Sequence, residues 1–249
     1  MWAFLQKLSS PKYFYQISGH LIPWFGGFCL VFMLAGLYFG LFVAPPDYQQ
    51  KETVRIMYVH VPAAWMSLFI YMVMAISAGI GLVWRMKLAE VIAASSAPIG
   101  ASFTFLALVT GALWGQPMWG TWWVWDARLT SELILLFLYL GIIALNSAIE
   151  DKRTAARASA VLALVGIVNI PIIHYSVEWW STLHQPNSDW LTEKPSIHSS
   201  MLIPLLLMAV AFKLYYATVV LKLARCEVLE RERNTHWVEE LVSRHQSQQ

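Results

Sequence analysis

Charge is what this 249-residue chain has least of: Asp, Glu, Lys and Arg together make up 13% of it, against 58% hydrophobic residues. A soluble domain carries roughly twice that charge, so neither one large water-soluble domain nor two small ones fits. Cysteine is scarce too. Cys29 falls in the first apolar block and Cys226 in the C-terminal tail, at different depths, which argues against a disulfide between them. There is no Cys-x-x-Cys-His signal for haem attachment. No G-x-x-x-x-G-K-[ST], H-E-x-x-H or G-x-S-x-G pattern occurs either, which removes the usual phosphate-loop, metalloprotease and serine-hydrolase chemistries. The net charge of +2 comes with no basic run dense enough for nucleic acid.

What the chain has in abundance is long apolar blocks. Six of them occupy about 21–43, 61–84, 91–113, 129–149, 158–176 and 199–221, each close to the roughly 20 residues that cross a bilayer core. None alternates as an outer-membrane strand would, and helices are the remaining way to satisfy every backbone group in lipid. The expected fold is therefore all-α, a polytopic membrane protein of six transmembrane helices. Twelve lysines and arginines collect at one set of helix ends, whereas the other set holds Lys51, Arg55, Arg128 and Lys194. Positive charge stays on the cytoplasmic side, so both termini are expected there, in an inner membrane. The expected division is a six-helix domain over residues 1–224 and a cytoplasmic tail over 225–249. The first twenty residues, MWAFLQKLSSPKYFYQISGH, read as an interfacial anchor rather than a cleaved signal. The tail reads as a solvated extension of the sixth helix, with Glu227 spaced to pair with Arg231.

The inner loops are short connectors, so function is sought in the outer segments. The first, APPDYQQKETVRIMYVH over residues 44–60, ends with His60 just before Pro62, which suits a helix start. The second, WGQPMWGTWWVWDARLT over residues 114–130, packs Trp114, Trp119, Trp122, Trp123 and Trp125 into twelve positions. An aromatic belt scatters one or two indoles per helix end; this concentration exceeds what headgroup anchoring requires. Gly115, Pro117 and Gly120 are expected to break the preceding helix. The segment that follows is a tryptophan-rich periplasmic loop or a short interfacial helix. In the helical case Trp119, Trp122, Trp123 and Asp126 would share one face. The third segment, residues 177–198, joins Trp179, Trp180 and Trp190 with His184 and His198. His174, inside the fifth block, reads as a packed histidine, and His198, at the start of the sixth, as the weaker outer candidate.

Two histidines on separate loops suit a metal that accepts imidazole nitrogen. Zinc would draw further ligands from Asp47, Glu52, Asp126, Glu178, Asp189 or Glu193, but it leaves the tryptophans without a role. Haem accounts for both, since iron takes two axial imidazoles and the macrocycle offers a flat apolar face to indoles. Its propionates call for arginine forks, and Arg55 and Arg128 are two of the few outer cations. Each is equally a surface charge paired with a nearby acid. The transmembrane blocks hold few ionisable residues, with Lys213 and His174 the main exceptions, so no polar path across the bilayer is apparent.

The stretch WGQPMWGTWWVWDARLT, the flanking MYVHVPAAW and the later HYSVEWWSTLHQP resemble the tryptophan-rich haem-handling protein family of cytochrome c biogenesis, in its six-helix branch. The resemblance spans essentially the whole chain. It implies that His60 and His184 are axial ligands to the iron of haem b (iron protoporphyrin IX), and that residues 114–128 form the platform for the ring. It also implies presentation of haem on the periplasmic side to the haem chaperone CcmE, which binds it covalently through a histidine. The implied partners include the small membrane subunit CcmD and the ABC-type pair CcmA and CcmB, whose ATPase action releases the loaded chaperone. The competing expectation is a membrane subunit of an ABC-type exporter that itself conducts haem.

Overall fold

The computed structural model describes residues 10–184 and 197–246. Trp190, Asp189, Glu193 and Lys194 lie outside the described residues, as do residues 1–9 of the N-terminal anchor segment, Lys7 included. Helix α1, Pro11–Tyr38, runs into a π-helical turn, Phe39–Val43. A 3-10 turn, Glu52–Ile56, leads into α2, Met57–Trp84, which is followed by α3, Lys87–Trp119, and α4, Ala127–Ala148. Helices α5, Lys152–Gly166, and α6, Asn169–Trp179, together form one span. Helix α7, Ser199–Arg231, is the last span, and α8, His236–Gln246, closes the described chain. Among the described residues six helical segments are thus long and apolar enough to cross a membrane. The described residues contain no strand beyond one bridge pair, Asp47 with Lys51.

Several boundaries differ from expectation for identifiable reasons. The first helix starts at Pro11 rather than near residue 21, with proline at a position where its missing N–H costs nothing. The same logic fails at Pro62, which lies inside α2 because the 3-10 turn and Met57 begin the helix earlier. Helix α3 runs through both Gly115 and Pro117, since each removes at most one backbone bond from a helix supported by its neighbours. It stops at Gly120, whose φ of 75° is left-handed and whose N–H bonds to the Gln116 carbonyl at 3.0 Å. Residues 121–126 are not helical, so the shared face of three tryptophans and Asp126 does not arise. The fifth block breaks at Ile167–Val168, where Pro171 cannot donate to the Ile167 carbonyl and the Ile170 N–H takes it instead at 3.1 Å.

The tail is not a simple extension. Helix α7 does continue to Arg231, held by the Arg231–Glu227 pair at 2.8 Å. The chain then turns, and α8 lays Trp237 against Tyr15 of α1 at 5.7 Å between ring centroids.

Helix α2 packs most extensively on α3, and α1 on α7. Ala63, Ala75, Ala97, Ala107, Ala160 and Ala163 are all buried where α2, α3 and α5 approach, as expected when helices associate by close backbone contact in lipid. Polar side chains bridge the same interfaces. The Tyr139 hydroxyl donates to the Ser67 carbonyl at 2.8 Å, Ser96 and Tyr216 share a bond of 2.9 Å, and the Asn169 amide donates to the Ser131 carbonyl at 2.9 Å. The antiparallel arrangement brings the start of α2, the end of α3, the start of α4 and the end of α6 to one end of the bundle, and these four ends build the site.

Candidate functional site

His60 lies in the first turn of α2, and its Nδ1–H donates to the Ala107 carbonyl of α3 at 3.0 Å, with Thr110 Oγ1 at 3.1 Å. A carbonyl can only accept, so the proton sits on Nδ1 and the Nε2 lone pair is left for a ligand. Gly111 makes the approach possible: a Cβ there would come within 3.0 Å of His60 Cε1. Trp114 stands edge-on to the imidazole at 5.7 Å between centroids, and its indole N–H donates to Gln50 Oε1 at 3.0 Å. The loop between α1 and α2 is thereby fastened over the end of α3.

Between α3 and α4 the chain has no helical bonds of its own, and Thr121 supplies local ones. Its hydroxyl donates to the Trp123 carbonyl at 3.0 Å and accepts from the Trp123 N–H at 3.4 Å. Asp126 then caps α4, Oδ1 accepting from the Leu129 N–H at 2.8 Å. Its other oxygen, Oδ2, faces His184 Nδ1 at 3.6 Å. That separation is within ion-pair reach but too long for a hydrogen bond. His184 also stacks its edge on Trp119, 5.0 Å between centroids. Burial pushes the His184 imidazole below its ordinary value, Arg128 adds to the shift, and Asp126 opposes it. The ring is therefore neutral near pH 7, the form that ligates metals.

One cleft, with about 570 Å³ of atom-free space partly open to the outside, collects these groups. It is lined by His60, Trp119, Trp122, Trp123, Arg128 and His184, with Glu132 and Gly111 deeper in. Arg128 projects from the first turn of α4 and is steadied by donation to the Ile173 carbonyl of α6 at 2.9 Å. Three buried polar atoms around the cleft have no hydrogen-bond partner among the described residues: Trp123 Nε1, Asp126 Oδ2 and His184 Nδ1. Buried polar groups are rarely left this way; Asp126 Oδ2 and His184 Nδ1 face each other behind the cleft, and Trp123, which lines it, keeps an unpaired indole N–H.

The structure thus brings His60, His184, Trp119, Trp122, Trp123 and Arg128 together, with Trp114 and Asp126 directly behind the two histidines. Two expected residues stand apart. Arg55 binds Glu52 Oε2 at 2.6 Å and the Gly40 carbonyl at 2.7 Å, and does not line the cleft. Trp125 is 76% exposed and leans on Trp123 at 5.4 Å. His198 caps α7 through Ser200, outside the cleft. His174 is exposed rather than packed, edge-on to Tyr175.

Glu132 is the residue that sequence reasoning overlooked. Buried, it accepts from the Ser67 hydroxyl at 2.7 Å and lies one helical turn from Arg128. An acid three residues into an otherwise apolar block was the available signal.

Two neutral imidazoles, a wall of indoles and one enclosed guanidinium suit a flat, largely apolar metal complex with an anionic edge. A bare zinc ion is a poorer fit, because no group of three or more His, Cys, Asp or Glu side chains comes together among the described residues. The class so defined is a polytopic α-helical membrane protein with an indole-lined, two-histidine cleft at one end of its bundle.

The chain belongs to the CcmC family, heme exporter protein C, whose family model matches residues 4–239. It is 52% identical over 242 residues to heme exporter protein C of Escherichia coli K12, covering 97% of this chain and 98% of that one. The Haemophilus influenzae heme exporter protein C is 51% identical over the same length. A Marchantia polymorpha mitochondrial protein described as cytochrome c biosynthesis ccmC-like is 50% identical over 187 residues, 75% of this chain and 78% of its own.

Proposed function

We propose that the cleft binds haem at the periplasmic surface of the inner membrane, with His60 and His184 as axial ligands to iron, and presents it to the chaperone CcmE. The observation that carries this reading is the convergence of two histidines from distant parts of the chain, His60 held through its Nδ1–H and His184 with Asp126 Oδ2 at 3.6 Å from its Nδ1, on one cleft walled by Trp119, Trp122 and Trp123. In this account haem is cargo. Arg128 takes a propionate, and Ala107 and Asp126 act behind the histidines, fixing which ring nitrogen faces the iron. The bond to the chaperone's histidine draws on the reactivity of haem itself; the chain contributes ligation, orientation and a dry wall. Arg55 holds the first outer loop in place through Gly40 and assists only indirectly. CcmD, CcmA and CcmB complete the assembly in which the loaded chaperone is released.

Presentation and conduction separate when haem is supplied only from outside to cells blocked in their own haem synthesis. Covalent haem on the chaperone, read by haem staining of a denaturing gel, should accumulate. A strict requirement for internally made haem would favour conduction through the six helices.

Asp126 offers a finer test, because its two oxygens do different jobs. Asp126→Asn keeps the oxygen that caps α4 but turns an NH2 donor toward His184 Nδ1, where an acceptor is wanted. Haem affinity should fall by roughly tenfold to a hundredfold, the usual cost of losing an outer-shell partner, with the unfolding midpoint unchanged. Asp126→Ala should lose both, lowering stability by about 1 kcal/mol as well. Equal haem affinity in Asp126→Asn and the unmodified chain would remove Asp126 from the account.

A further inference from the structure

Lys213 presents a problem that the cleft does not solve. Within α7 the apolar stretch 201–220 holds it as the only charged residue, about 4 Å along the axis from the stretch's midpoint at 1.5 Å per residue. With a hydrocarbon core roughly 30 Å thick, about 11 Å still separate its Cα from the nearer boundary. The four-carbon stem of a lysine spans only part of that distance.

Its side chain is exposed on the bundle surface. Nζ lies 5.8 Å from the centroid of Phe69 on α2, a cation–π contact at the outer limit of that interaction. No carboxylate among the described residues is within ion-pair distance of it. Exposed apolar side chains line these two helices. Leu206 and Val210 precede it on the same face of α7, and Phe69 and Met72 of α2 lie alongside, all of them exposed. Phe69 is tied to α7 by an edge contact with Tyr216, 6.1 Å between centroids, so the two helices form one continuous face.

An ammonium held at mid-depth against hydrocarbon is costly, and such residues turn toward a partner. We propose that this face of α2 and α7 docks a membrane-spanning helix of a different chain, one that carries an Asp or Glu near its own middle to pair with Lys213. A second copy of this chain does not fit. Among its described spans, acids sit near the ends, as Glu52, Glu90, Glu178, Glu227 and Glu230 do, and Glu132 is both near an end and buried. Charge complementarity at this depth therefore selects a distinct partner. The pairing sets the register of the two helices, because one residue of sliding moves the charges about 1.5 Å apart.

The test places the photo-cross-linking residue p-benzoylphenylalanine at Val210 of the full chain in its native membranes, with the adduct mapped by mass spectrometry. The expected adduct is a peptide from a transmembrane helix bearing an acidic residue within a turn or two of its midpoint. Lys213→Met should lower the yield by roughly tenfold, in the range of strong polar contacts between membrane helices. Lys213→Glu should abolish it, and changing the mapped acid to lysine should restore it. A second probe at Leu206 in the otherwise unaltered chain maps the same neighbour without depending on any Lys213 variant. Adducts to phospholipid alone, to another copy of this chain, or to a helix without a mid-span acid would overturn the proposal, as would a yield indifferent to Lys213→Met.

Discussion

His60→Ala and His184→Ala should each strip haem from the purified full chain, lowering its affinity by more than about a hundredfold, beyond what loss of an outer-shell contact costs. Each substitution removes one of two axial imidazoles while leaving the indole wall, so residual binding is five-coordinate and weak. The fold should survive both. Among the described residues His60 meets the Ala107 carbonyl and Thr110 Oγ1 through one ring nitrogen, and His184 has a backbone bond to Thr182, an edge contact with Trp119 and the 3.6 Å approach to Asp126. Gel filtration in detergent checks this, and the absorption spectrum reads the ligation. Unchanged haem occupancy in either variant would remove that histidine as a ligand.

Gly100→Ala should be nearly as damaging, by a different route. Glycine to alanine inside an exposed helix gains about 1 kcal/mol from backbone entropy and propensity. Here a Cβ would overlap the ring and hydroxyl of Tyr139, which is fully buried. Tyr139 has little room to yield, since it packs edge-on to Tyr71 at 5.2 Å and donates to the Ser67 carbonyl. Overpacking together with loss of that buried bond should cost about 3 kcal/mol, seen as a lowered unfolding midpoint in detergent. Gly27→Ala is the control, because nothing lies within 4 Å of the added methyl. A loss of stability in Gly27→Ala comparable to that in Gly100→Ala would mean that any methyl, not the contact with Tyr139, is what the helices reject.

The damage should extend to the cleft. Ser67 also donates to Glu132, so Tyr139, Ser67 and Glu132 form one column from the bundle core to the cleft floor. Displacing Tyr139 shifts the carboxylate one turn below Arg128. Stability of the span interfaces and shape of the site are coupled through a single buried serine.

The apolar blocks were legible because bilayer thickness imposes a length that no loop imitates. Both cleft histidines and the tryptophans were legible by composition, since indoles and imidazoles at that density have few structural uses. Helix ends were less so. Pro62, Pro117 and Pro171 look alike in sequence, yet the first two lie inside helices and the third accompanies a break. At Pro171 the freed Ile167 carbonyl is taken by the Ile170 N–H, which tightens the turn there. Arg55 looked like a ligand group because it is a rare outer cation, but Gly40, fifteen residues earlier, turned its carbonyl toward it. Gly111 was invisible for the converse reason, because its importance lies in His60 standing opposite it across the α2–α3 interface; Glu132 showed as an acid in an apolar block, but its partner Ser67 across α2–α4 did not.

The central claim is that His60 and His184 bind one iron from the two sides of the same cleft. The most direct measurement is the low-temperature electron paramagnetic resonance spectrum of the full chain loaded with ferric haem, beside that of the His60→Ala, His184→Ala double variant. The account predicts a low-spin signal of two imidazole ligands in the unmodified chain and its disappearance in the double variant. A high-spin signal in the unmodified chain, or a low-spin signal that persists without either histidine, would contradict it.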